Sequence, residues 1–253
     1  MKENFVVHPN YSSHSEAILK VLHAFDANPD FVVNGERNVI KKAPAAGMEL
    51  NIKRFKRPNI LNRIVYGSFR RSKARRSFEY AGKLQQLGIG TPSPVAYLER
   101  FSGGLRESFY VSEHLMYDLD FRTLNHNPTY PKRNEILRQM AAFTFKLHEN
   151  GINFLDHSPG NTLIRKEEEG RYRFYLIDLN RMRFETMDFK KRMHNFRRLW
   201  LSKTMIKVMA REYADLYNKG YEEVHSLMTK FSRSFQKKIN SKKLRRRRRN
   251  SKS

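Results

Sequence analysis

The stretch from Leu147 to Arg183 constrains this chain more than any other. Asp156 is followed five residues on by Asn161, and Asp178 closes an apolar run further along. Phosphoryl transfer asks little covalent chemistry of a protein. It asks that the acceptor be positioned and that phosphate charge be neutralised. A carboxylate facing an acceptor hydroxyl, with an amide and a second carboxylate on a metal ion, meets both needs. Taken singly, an Asp or an Asn here is more readily a turn residue; the joint pattern is what points to chemistry.

The surrounding pattern agrees. Met140, Ala141, Phe143, Thr144, Leu147 and His148 fall at helical spacing, which predicts a buried helix stopping near Asn150 and Gly151. Pro159-Gly160 marks a loop just before Asn161. Thr162–Arg165 reads as a strand, Lys166–Gly170 as a charged turn, and Arg171–Ile177 as the returning strand. That hairpin predicts Asn161 at the start of one strand and Asp178 at the end of the other, converging on one metal site.

D-x-x-x-x-N, a hairpin, then an aspartate after an apolar strand resembles the catalytic core of protein-kinase-like enzymes. Phe154-Leu155-Asp156 stands where His-Arg-Asp is usual, and Asp178-Leu179-Asn180 where Asp-Phe-Gly is usual. The missing arginine argues against conventional regulation by a phosphorylated activation loop. The whole stretch resembles the bacterial lipopolysaccharide kinases, which phosphorylate Kdo or heptose sugars of the inner core. The resemblance covers about residues 30–200.

Upstream, Leu50-Asn51-Ile52-Lys53 has the register of the strand that carries the phosphate lysine in kinases. Glu79 is the first acid after Lys53 and falls on an expected helix over Ser77–Leu84, so it is the expected ion-pair partner. Phe31–Val33 and Val39–Lys41 read as a hairpin with a single glycine, Gly35, and with Arg37 as a speculative phosphate contact. Val95–Arg100 and Glu107–Ser112 read as paired strands. Glu113 and Leu115 follow where a kinase hinge would run and hold the adenine edge through backbone groups.

The resemblance implies an α+β, two-lobed protein-kinase-like fold, with a small β-rich N-lobe and a helical C-lobe. The expected boundaries are an N-lobe over 1–112 (an N-terminal helix, an antiparallel sheet and one further helix), a C-lobe over 113–236 with the catalytic loop, and a disordered basic tail over 237–253. It implies ATP and Mg2+. Asp156 would orient the acceptor hydroxyl and take its proton, Asn161 and Asp178 would bind metal, and Lys53, braced by Glu79, would position the phosphates.

Charge bears on partners. The net charge is +25, and ten of the 50 Lys and Arg lie in the last 17 residues, so the rest of the chain is still strongly basic. Residues 53–76 carry ten Lys and Arg and no acid, with Ile60, Leu61, Ile64, Val65 and Phe69 at helical spacing beneath them. Such a segment either packs its apolar stripe on the N-lobe or lies in a membrane interface. An anionic glycolipid of the lipid A-core type and an anionic membrane surface are the expected partners, with nucleic acid as the lesser alternative. Cys is absent, which excludes disulfides, thiol catalysis and cysteine metal sites. The opening residues show no apolar signal region and no run is long enough to span a bilayer. A cytoplasmic protein, peripheral at the cytoplasmic face of the inner membrane, is therefore expected. The competing readings are a RIO-like atypical protein kinase associated with ribosome precursors and a pseudokinase adaptor.

Overall fold

The computed structural model describes residues 1–35, 38–57 and 71–250, in two compact units. The first unit comprises Met1–Met116 together with Asp178–Asn180, and the second Tyr117–Ile177 with Arg181–Ser253.

The first unit is built on an antiparallel sheet of six strands: β1 (Lys2–Val7), β2 (Phe31–Asn34), β3 (Asn38–Ala45), β4 (Met48–Phe55), β5 (Pro94–Phe101) and β6 (Leu105–Glu113). Their order across the sheet is β1-β5-β6-β4-β3-β2. Helix α1 (Ser15–His23) covers one face, where Ile18, Leu22 and Phe25 pack with Leu50, Ile52, Leu98 and Phe109. Helix α2 (Lys73–Gln86) covers the other, where Ala74 and Phe78 pack with Phe55 and Tyr97. Strand residues alternate faces. Burying Leu50 and Ile52 against α1 therefore turns Lys53 and Phe55 to the α2 side. Helix α2 starts where the Ser72 hydroxyl accepts the Arg75 N–H at 3.0 Å, which satisfies one of the free donors of the first turn.

Strand β1 was not anticipated, because a six-residue strand at the edge of a sheet is held by pairing with β5, some ninety residues away, rather than by its own pattern. The amphipathic reading of residues 60–69 and the assignment of Arg37 lie outside the described residues.

The second unit is mostly helical, with α3 (Phe121–His126), α4 (Arg133–Glu149), α5 (Phe189–Asn195), α6 (Lys203–Tyr217) and α7 (Tyr221–Asn250). Its short strands are β7 (Leu119–Asp120), β8 (Ile152–Phe154), β9 (Thr162–Lys166), β10 (Tyr172–Leu176) and β11 (Met182–Phe184), in two small sheets ordered β10-β9-β7 and β11-β8. Helix α4 buries Ile136, Leu137, Met140, Ala141, Thr144, Leu147 and His148, one face at the spacing read from the sequence. It ends where Gly151 takes φ +66°, and a Cβ there would come within 3.0 Å of the Glu185 carbonyl. The Met-aromatic stripe of α6 (Met205, Ile206, Met209, Tyr213) lies in the core with Phe196 and Leu199.

The tail differs from expectation. Helix α7 runs unbroken to Asn250, its first half anchored by buried Val224, Met228 and Ser232 and its last ten residues exposed. Lys and Arg are good helix formers, and cations in the last turn favour the negative end of the helix dipole, so an anchored helix continues into the basic run.

Candidate active site

In the first unit, Lys53 projects from β4 and its Nζ meets Asp178 Oδ1 at 2.7 Å. Lys53 is 13% and Asp178 28% exposed, so the pair is partly shielded from water. Asn180 Nδ2 donates to the same Asp178 oxygen at 2.6 Å, and the Asn180 carbonyl accepts from Arg76 of α2 at 2.8 Å. Asp178 itself has φ +58°, a left-handed backbone that Asp and Asn tolerate better than other side chains. Asn180, which the sequence showed only as a departure from the kinase pattern, thus holds the Asp178 carboxylate. No residue spacing announces that role; the signal is an amide two positions after the aspartate.

The expected Lys53–Glu79 pair is not formed. Glu79 binds Arg75 at 2.8 Å, one helical turn before it, and Arg71 at 2.7 Å. Counting acids after Lys53 overlooked these arginines, of which Arg75 is delivered to Glu79 by the helix itself and Arg71 comes from the residues just before it. At Glu113, expected from sequence at a hinge, the backbone N–H donates to the Ser93 carbonyl and the carboxylate accepts from Tyr11 Oη at 2.9 Å. Burial, reinforced by that carboxylate, pushes the Tyr11 hydroxyl up to about 12. The Leu115 N–H donates to no other described residue. Of the two residues expected at a hinge, Leu115 is the one whose backbone N–H is left open among the described residues.

In the second unit, Asp156 and Asn161 stand on one tight loop. The Asn161 side chain donates from Nδ2 to the Asp156 carbonyl at 2.9 Å, and the Asn161 carbonyl accepts the Ile177 N–H at 3.0 Å. Strands β9 and β10 pair from Thr162↔Leu176 to Lys166↔Tyr172, the hairpin read from the sequence. Asn161 therefore opens one strand while Ile177, the residue before Asp178, follows the other. The loop leaves no Cβ at Gly160, and the Arg122 guanidinium fills that space. Asp156 Oδ1 is 2.8 Å from an Arg198 guanidinium nitrogen, and Oδ2 is 3.6 Å from one of Arg181.

A buried amide braces this loop from behind. Asn195, at the end of α5, donates from Nδ2 to Asn153 Oδ1 and to the Phe154 carbonyl, both at 3.0 Å. Its Oδ1 must then accept, from His157 Nδ1 at 3.1 Å and His148 Nε2 at 3.3 Å. That assigns both tautomers: His157 carries its proton on Nδ1, and His148 on Nε2, leaving His148 Nδ1 to accept from Tyr213 Oη at 2.7 Å. Burial drives the His157 imidazole down to about 4 and the His148 imidazole to about 3, so both are neutral near pH 7. His157 directly follows Asp156, so this network fixes the aspartate's backbone. Neither Asn195 nor His157 was singled out from sequence, because a lone Asn or His carries no periodic signal.

Magnesium takes oxygen ligands from one or two carboxylates plus substrate phosphates, and each unit, taken by itself, offers an oxygen of that kind. Asp178 keeps Oδ2 clear of described partners, and the amide orientation of Asn161 leaves its Oδ1 likewise. Among the described residues, no cluster of three His, Cys, Asp or Glu is placed to hold a metal.

A six-stranded sheet flanked by helices, a lysine-bound aspartate and an aspartate–asparagine loop define a protein with a kinase-like fold. The family model described as Lipopolysaccharide kinase (Kdo/WaaP) family matches residues 34–221, and the chain belongs to that family. It is a kinase. A solved structure described as WaaP in complex with acyl carrier protein is similar over 94% of this chain and 99% of that one, with a TM-score of 0.64 and 18% identity. At that identity the likeness speaks for the fold. No match was found among curated proteins.

Proposed function

We propose that this lipopolysaccharide kinase transfers the γ-phosphoryl group of ATP, with Mg2+, to a sugar hydroxyl, Kdo or heptose, of the inner core or its precursor. The observation that carries the reading is Asp178 held by Lys53 and Asn180, in a chain whose Asp156–Asn161 loop is braced by Asn195. Lys53 places a fixed positive charge for the nucleotide phosphates. Asp178 and Asn161 would hold magnesium through hard oxygen ligands, and the ion would supply positive charge to offset that of the phosphates. Asp156 orients the acceptor hydroxyl. As its oxygen bonds to the γ-phosphorus, the bond to the β-phosphate oxygen breaks and the hydroxyl proton passes to the Asp156 carboxylate. Leu115 offers a backbone donor to the adenine.

The basic end of α7, with Lys237, Lys238, Lys242, Lys243 and Arg245–Arg249, supports peripheral contact with an anionic membrane surface at the cytoplasmic face of the inner membrane. Among the described residues, no helix is long and apolar enough to cross a membrane.

The test is transfer of label from γ-labelled ATP, with magnesium, to lipid A-Kdo, heptosylated core and ribosomal particles in parallel. Label in a glycolipid, lost in Asp178→Ala, supports the proposal and names the sugar. Label in a ribosomal protein alone would move the assignment to a RIO-like protein kinase.

A further inference from the structure

Asp156 is bracketed. Arg198 sits 2.8 Å from Oδ1 and Arg181 3.6 Å from Oδ2, so one carboxylate faces two guanidinium groups and an excess positive charge remains beside it. The two arginines differ in how they are held. Arg198 is 28% exposed and lies over the Phe235 ring of α7 at 5.6 Å, while Arg181 is 54% exposed. A single carboxylate uses only part of the ten N–H donors that two guanidinium groups present.

We infer that Arg181 and Arg198 form the anion-recognition site for the acceptor, and that the anion is the carboxylate of a sugar acid whose hydroxyl Asp156 orients. This rests on the reading of Asp156 as the acceptor-facing group. The planar guanidinium fork matches a carboxylate in a way that a lysine cannot. Groups within ion-pair distance of Asp156 lie within reach of substituents a few bonds from the reacting hydroxyl. The site therefore favours Kdo, which carries a carboxylate, over heptose, which does not. An acceptor phosphate offers related anionic oxygens, and the experiment separates the two sources.

The experiment measures KM and kcat for the acceptor with full-length wild type, Arg198→Gln, Arg198→Lys and Arg181→Gln. The acceptors are lipid A-Kdo, the same molecule with its sugar carboxylate methyl-esterified, and a version dephosphorylated on lipid A. The expected result is an acceptor KM raised about tenfold or more in Arg198→Gln, the weight of one charge-assisted hydrogen bond. Arg198→Lys, which keeps charge without the fork, falls between. Esterification penalises wild type to a similar degree and penalises Arg198→Gln little further. Arg165→Gln, at an exposed arginine 3.5 Å from Glu167, is the charge-matched control and changes KM by no more than about twofold.

An equal ester penalty in wild type and variant overturns the inference, as does an equal effect of Arg165→Gln, which would mean general charge attraction. Coupling to dephosphorylation in place of esterification overturns the carboxylate assignment. In each of these cases wild type still transfers phosphate to glycolipid. Absence of transfer to any glycolipid overturns both this inference and the proposed function.

Discussion

Lys53 Nζ and Asp178 Oδ1 lie 2.7 Å apart although 125 residues separate them in the chain. The pair joins a strand lysine chosen by the alternation of β4 to an aspartate in a left-handed turn. Lys53→Met removes the positive charge from that carboxylate and, on the proposed function, from the nucleotide phosphates. Its kcat/KM in phosphotransfer is expected to fall by about 100-fold or more, as for loss of one preorganised electrostatic donor. Steady-state kinetics at saturating acceptor check this, and near-normal turnover would sink the assignment.

Asn180 is expected to act through Asp178. Asn180→Ala removes the 2.6 Å hydrogen bond that orients the carboxylate while leaving the carboxylate itself. The magnesium concentration needed for half-maximal rate should rise by about 10- to 100-fold, the usual effect of losing an outer partner of a metal ligand. A magnesium titration at fixed ATP reads it out.

Asn195 carries four hydrogen bonds, so Asn195→Ala strands the buried His148 and His157 side-chain N–H donors. The expected loss of stability is about 3 kcal/mol, since each unsatisfied buried polar group costs about 1–3 kcal/mol. Urea unfolding followed by Trp200 fluorescence measures it; a loss below about 1 kcal/mol would show that water replaces the amide freely.

Acid should destabilise the protein through the same histidines. Both are depressed by burial, to about 4 and about 3, from an unfolded value of 6.5. The unfolded chain therefore binds protons first. The stabilisation is complete above pH 6.5 and is lost as pH falls towards the folded values. Each histidine contributes a slope of about 1.4 kcal/mol per pH unit in that window. His157→Gln should flatten the acid limb of a stability-pH curve by up to half.

Removing residues 237–253 deletes ten basic residues, nine of them on the exposed end of α7. Co-sedimentation with vesicles rich in anionic lipid should drop to the level seen with neutral vesicles, each basic residue near such a surface being worth about 1 kcal/mol. Retained binding would assign the membrane contact to another basic segment.

Much of this was legible in the chain. The apolar face of α4, the stop at Gly151, the β9–β10 hairpin and the strand register of Lys53 all follow from local periodicity and turn chemistry, which act over a few residues. The helical continuation of the basic run did not, because like charge suggested disorder while the anchoring came from Val224, Met228 and Ser232 at the other end of α7.

By itself the sequence determined which elements form and which residue types stand at the turns between them, since hydrophobic spacing and the Gly151 stop act on neighbouring backbone. Only the tertiary structure decided the partners. It gave Lys53 to Asp178, Glu79 to Arg71 and Arg75, Asp156 to Arg181 and Arg198, and two histidines to one buried amide. Long charged side chains can reach several acids, and a lone Asn has no period. Their pairing is settled only when packing brings distant elements together and burial penalises every polar group left without a partner.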